Sequence, residues 1–233
     1  MNIITNHKLI KRNRKIGQIA TYVSLGILVI GLLITFFRKE EFFWSIGALI
    51  LGFIISQVGI YYGKNWGPSP RQDELLAASL KGLDDKYTLY NYTSPIPYLL
   101  VGPSGVSPLI PLNQGGLIRY NPAKKRYTQK GGNFYMKLFG QEGIGSPDLD
   151  AAANRQTITN FLKDKFTDGN FPEPDPILVF INPKATLDMA DSPFTGVTAE
   201  KLKDVVRRKA KSNPASLDMI DQIRSLMVQE DIL

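Results

Sequence analysis

Cysteine is absent from the 233 residues, which excludes disulfides and thiolate metal sites. Histidine occurs once, as His7, in a basic leader outside any plausible core. A Ser-His-Asp or Cys-His nucleophilic site cannot be assembled from these residues in the remainder of the chain, and a histidine-based zinc site is excluded with it. Hydrolytic chemistry would need carboxylates around a divalent ion, or a lysine. Phosphate-cradling glycine loops are missing too: Gly115-Gly116 and Gly131-Gly132 fit neither the P-loop nor the dinucleotide pattern and read as turns. No internal repeat is present, and no cofactor is implied.

Charge is missing from two long stretches. Residues 16–37 and 42–63 are apolar runs of 22 residues each, without one acidic or basic side chain, separated by Arg38-Lys39-Glu40-Glu41. About 20 residues suffice to cross a bilayer as a helix, and a four-residue tip cannot reach back across it. The pair therefore reads as a transmembrane helical hairpin. The competing reading, a cleaved signal peptide, is disfavoured by the length of the first run and by Phe36-Phe37-Arg38-Lys39 where a small-residue cleavage site would stand.

Lys8, Lys11, Arg12, Arg14 and Lys15 precede the first run, and Lys64 and Arg71 follow the second. Positive flanks stay cytoplasmic, so both termini are expected inside a cell (inner) membrane of bacterial type, with the leader cluster against anionic lipid headgroups. Phe36, Phe37, Phe42, Phe43 and Trp44 would sit at the outer interface, and Tyr61, Tyr62 and Trp66 at the inner one. Gly52, Ser56, Gly59 and Gly63 offer small-residue packing positions, either within the hairpin, the favoured reading, or against another membrane subunit.

The chain carries +7, but residues 64–233 hold 21 Lys/Arg against 19 Asp/Glu, a net of +2. The excess is juxtamembrane, so nucleic acid is not an expected partner. Arg207-Arg208-Lys209 and Lys124-Lys125-Arg126 read as solvated faces.

Gly67-Pro68-Ser69-Pro70 lies in a linker over 64–71, and residues 72–233 suit one α/β (α+β) domain. The spacing predicts a helix over 72–85 and strands over 87–92 and 98–101. Residues 106–112 read as an irregular or edge segment because of Pro108 and Pro111. Short strands follow over 117–120 and 126–129, then a flexible glycine-rich connection over 131–147. A helix over 149–166, capped by Asp148, leads to a buried strand over 177–181. Helices over 199–210 and 216–229, capped by Thr198 and Ser216, close the chain. The expectation is a small mixed sheet flanked by helices.

The stretch Tyr98-Leu-Leu-Val-Gly-Pro-Ser-Gly-Val106 resembles the centre of the nuclease-related domain (NERD) family, whose core is restriction-endonuclease-like. Asp73-Glu74 stands where that family carries an acidic residue opening a helix, and Gln156 where it carries a glutamine. Residues 177–181 match a following core strand, so the similarity spans roughly residues 71–190. The resemblance implies a metal site made by an aspartate before the first strand and a Glu-x-Lys on the second. Counted from Gly105, those positions here are Pro97, Ile110 and Leu112, which can neither ligate an ion nor lower a pKa. Asp84-Asp85 and Asp148/Asp150 are further carboxylates, but helix-terminal roles account for Asp73, Glu74 and Asp148.

Together these features predict a membrane-anchored, catalytically inactive NERD-like domain, without metal or cofactor. It would act as a scaffold or accessory subunit, with lipid and other membrane protein subunits as partners. The alternatives are a divergent metal-dependent nuclease at the inner membrane face and a lipid-surface module.

Overall fold

A computed structural model of the protein describes residues 1–131, 143–166, 169 and 171–229. The chain forms two compact units, one from Asn6–Arg71 and the other from Met1–Thr5 together with residue 72 onward.

The first unit is a helical hairpin of α1 (His7–Phe37) and α2 (Phe42–Trp66), joined through a single 3-10 turn at Lys39–Glu41. Both helices are long and apolar enough to span a membrane, and their apolar side chains are mostly exposed. Asn6 caps α1 by accepting from the Leu9 N–H at 2.8 Å, which satisfies a donor that the first turn would leave orphaned. Glycines set the closeness of the helices. A Cβ on Gly59 would stand 2.6 Å from Thr21 Oγ1, one on Gly52 2.8 Å from Leu28 Cγ, and one on Gly17 2.8 Å from Tyr62 Cβ. Ser45, buried, bonds to Thr35 Oγ1 and donates to the Gly31 carbonyl at 3.0 Å. Such hydroxyl bonds tie helices together where lipid supplies no hydrophobic drive.

The second unit is built on a six-stranded sheet. In chain order its strands are β1 (Asn2–Thr5), β2 (Thr88–Asn91), β3 (Tyr98–Gly102), β4 (Gly105–Leu112), β7 (Ile177–Phe180) and β9 (Thr195–Thr198), and they are neighbours in that same order. β1 and β2 are parallel, β2–β3–β4 is an antiparallel meander, and β4, β7 and β9 are parallel. A separate three-stranded sheet places β5 (Gly116–Asn121) between β6 (Arg126–Lys130) and β8 (Ala185–Asp188).

Alternate side chains of the main sheet serve opposite faces, as pleating requires. One face joins Leu89, Leu100, Leu109 and Val179 to Leu76 and Leu80 around α3 (Gln72–Ser79) and to Leu202 and Val206 of α5 (Ala199–Ser212). The other joins Tyr90, Leu99 and Val106 to Ile158 and Leu162 of α4 (Pro147–Lys165) and Ile220 and Ile223 of α6 (Leu217–Gln229). On that same face Ile110, Leu112, Leu178 and Phe180 pack with Ile118 and Tyr127 of the small sheet.

The leader expected over 1–15 is divided. Residues 2–5 are a sheet strand of the second unit, while Lys8, Lys11, Arg12, Arg14 and Lys15 are exposed on the first turns of α1. α3 ends at Ser79 and not near 85, because Gly82 takes φ +90° and the chain turns there, although Leu80 and Leu83 stay buried. Asp148 lies in the first turn of α4, with Ser146 at the cap position.

The clearest difference is β4, which is central and regular despite Pro108 and Pro111. Its pairings are staggered: the β3 ladder covers Gly105–Pro108 and the β7 ladder covers Leu109–Leu112. Val106 and Leu112 carbonyls accept from Asp175 and Ile181, so even-numbered residues face β7 and odd-numbered ones face β3. Pro111 therefore faces the β3 side after that ladder has ended, and Pro108 faces the β7 side before the other begins. Neither missing N–H removes a ladder bond. Most of the glycine-rich connection, residues 132–142, lies outside the described residues.

Candidate functional site

The nine-residue family-like stretch folds as the β3–β4 hairpin. Pro103 and Ser104 form the connection, and Gly105 follows at φ +91°, a conformation costly for any residue with a Cβ. Gly102 has a different reason: a Cβ there would meet Tyr87 Cδ1 at 2.4 Å, so the glycine makes room for a buried ring. Burial pushes the Tyr87 phenol up from its ordinary value, with Asp84 adding to the effect and Arg207 opposing it. The motif's glycines are thus accounted for by the turn and by Tyr87.

The five positions named by the resemblance do not converge. Ile110 is 6% exposed and Leu112 8%, both in the apolar cluster with Leu178 and Phe180, beneath Ala151 of α4 and Ile118 of the small sheet. Pro97 is exposed in the turn before β3, where its carbonyl accepts from the Tyr92 N–H. Gln156 is exposed on α4 and donates to Asn160 Oδ1 at 2.7 Å. Glu74, half-buried, lies on α3, which packs against the opposite face of the sheet from Ile110 and Leu112. Among the described residues no three His, Asp or Glu side chains gather as a metal site.

Of the small residues in α2, Gly52 and Gly59 abut α1. Ser56 is half-buried and donates to the Phe53 carbonyl at 2.7 Å, and a Cβ on Gly63 would meet nothing within 4 Å. The small sheet carries the other shifted tyrosine. Burial raises Tyr127, against the hydrogen bond with Ser192 at 2.7 Å.

Two concave surfaces went unsuspected in the sequence. One lies beyond the C-terminal ends of β7 and β9, lined by Asn182, Thr186, Thr198, Lys201 and Arg208. Crevices at the carboxyl ends of parallel strands are the usual ligand positions of open α/β sheets. The other lies beside the β3–β4 turn, where Arg155 pairs with Glu173 and Lys209 with Asp175. Arg155 and Lys209 are thus each neutralised by an acid within the same surface. Pairing of parallel strands β7 and β9 was the missing signal for the first, because β9 and β8 are too short and too polar to be found by periodicity.

No family model, curated protein or solved structure matches this chain. Fold and geometry define its class: an apolar two-helix hairpin joined to a mixed α/β domain whose central strand is sealed on both faces by hydrophobic clusters.

Proposed function

We propose that the protein is a membrane-anchored, catalytically silent member of the restriction-endonuclease-like class, serving as a scaffold or accessory subunit of a membrane protein complex. The observation that carries this reading is the core role of Ile110 and Leu112, the residues that stand where the family resemblance would call for a carboxylate and a lysine. The connectivity agrees with it: a helix, a three-strand meander, a second helix and a strand parallel to the meander's last. The near-neutral charge of residues 64–233 weighs against nucleic acid as the partner.

Two features support the proposed orientation. Residues 2–5 and residue 72 onward belong to one folded sheet unit, so both ends of the hairpin emerge on the same side of a membrane. The basic cluster of α1 supports the cytoplasmic face of an inner membrane as that side, with the five exposed cations against lipid headgroups.

The test is purification of the full-length protein in mild detergent, with the same preparation assayed for Mg²⁺- or Mn²⁺-dependent cleavage of DNA and RNA. A stoichiometric membrane partner without cleavage is expected. Cleavage lost in Glu74→Ala or Gln156→Ala would sink the proposal and make the protein a nuclease with a relocated site.

A further inference from the structure

Gln57 is the one carboxamide, acid or base in the run 42–63. It is exposed, and its side-chain amide makes no hydrogen bond to any described residue. It lies six residues inside Gly63, about 9 Å along the helix, a depth at which lipid offers neither donor nor acceptor. An amide there is costly unless another helix satisfies it.

The surroundings of Gln57 are ordered. Ser45, Gly52 and Gly59, seven residues apart, are buried against α1. On an exposed flank of α2, about 100° or more round from that face, Ile46, Ile50, Phe53, Gln57 and Ile60 follow one another at alternating steps of four and three residues. Their apolar members are all exposed, from 37% at Ile46 to 62% at Phe53. This spacing fits the heptad seam of a left-handed helix pair, with one polar residue at a core position, the arrangement that fixes register and partner number in coiled coils. Lys64 continues the spacing at the inner end, beyond the apolar run.

We propose that this seam pairs with the same seam of a second copy, forming a parallel α2–α2 dimer locked by reciprocal Gln57–Gln57 amide hydrogen bonds. The inference rests on α2 lying in the bilayer and is independent of what the α/β domain does. Two features select a second copy over a different helix. A carboxamide is self-complementary, one NH₂ donor and one carbonyl acceptor, so a twofold axis satisfies both partners at once. All copies also insert in one orientation, so the two seams run parallel and bring Gln57 to the same depth in each.

The absence of cysteine makes the test clean. Full-length Ile50→Cys, Ile60→Cys and, as an off-seam control, Leu33→Cys of α1 are oxidised in phosphatidylethanolamine–phosphatidylglycerol vesicles and in native membranes. Disulfide dimers at twice the 26.0 kDa chain mass are expected from the two seam positions and not from the control. Fluorescence energy transfer between labelled chains should report a dimer whose dissociation constant rises on the order of tenfold in Gln57→Leu and is retained in Gln57→Asn. Since Gln57→Leu makes the helix more apolar, loss of pairing in that variant is not loss of insertion. Absent seam crosslinks, crosslinking equal at Leu33→Cys, an unchanged Gln57→Leu, or a native-membrane crosslink to a chain of another mass would each overturn the dimer. Release of the protein by alkaline carbonate would instead bring down the bilayer placement of α2, and the pairing with it.

Discussion

Ile110 and Leu112 carry the argument at the residue scale, and their chemistry is testable without knowing any partner. Both are under 9% exposed within one apolar cluster. Ile110→Ala should cost about 2–5 kcal/mol through lost burial and an unfilled cavity, read as a lower melting temperature of the α/β unit in detergent. Ile110→Glu should cost more and give no Mg²⁺ binding by calorimetry, because the new carboxylate would be buried without a partner. Gly102→Ala and Gly105→Ala should each destabilise by about 1–3 kcal/mol for different reasons, overpacking against Tyr87 and a positive φ. Removing the ring in Tyr87→Ala should relieve the first and not the second, a difference visible in a double-mutant cycle. The two shifted phenols add a pH dependence. Burial raises Tyr87 and Tyr127, so the folded state keeps their protons to higher pH than the unfolded chain does. Their contribution is complete below about pH 10 and is lost as pH rises from there through the folded values. Denaturation midpoints should hold steady to about pH 9 and fall above about pH 10, less steeply in Tyr127→Phe.

Elements differed in how plainly the sequence declared them. The hairpin needed only two uncharged runs, and β7 only five consecutive apolar residues between prolines. α4 followed from the spacing of Ile158, Phe161 and Leu162. β4 was obscured by Pro108 and Pro111, because a local rule about missing donors cannot register a staggered pair of ladders. β1 was hidden for another reason. Asn-Ile-Ile-Thr is too short to stand out, and its partner lies 86 residues away, across the whole hairpin. The candidate site was legible only as an absence of ligands at 97, 110 and 112, since which face each residue serves depends on register. The β1 assignment can be checked at the level of its ladder. The Asn2 N–H donates to the Tyr87 carbonyl at 2.8 Å, so by the pleat the Ile4 N–H points to β2 as well. Ile4→Pro should remove that bond and speed hydrogen exchange of the β2 amides, whereas Ile3→Pro, at an outward position, should perturb them less.

At the scale of the whole molecule, the charge is distributed by unit. Five of the cations responsible for the net +7 belong to α1, and the α/β unit is close to balanced. The proposed topology predicts that Asn2→Cys and Lys211→Cys, both exposed, react with an impermeant maleimide only after permeabilisation, while Glu40→Cys at the hairpin tip reacts in intact cells. Labelling of Asn2→Cys from outside while Lys211→Cys stays protected would separate β1 from its sheet and contradict the fold itself.

The pairing of β1 with β2 also imposes an order on biosynthesis. Asn2 leaves the ribosome 86 residues before Thr88, its sheet partner. At ordinary elongation rates of about 5–20 residues per second, that is a wait of roughly 4–17 s. Both membrane helices emerge within that interval. The first strand must therefore stay unpaired and soluble while the helices are handed to the insertion machinery. The domain acquires its edge strand only after the anchor has been synthesised, so an anchor in which only one of the two helices crossed the membrane would strand β1 on the far side from β2 and leave the sheet permanently incomplete.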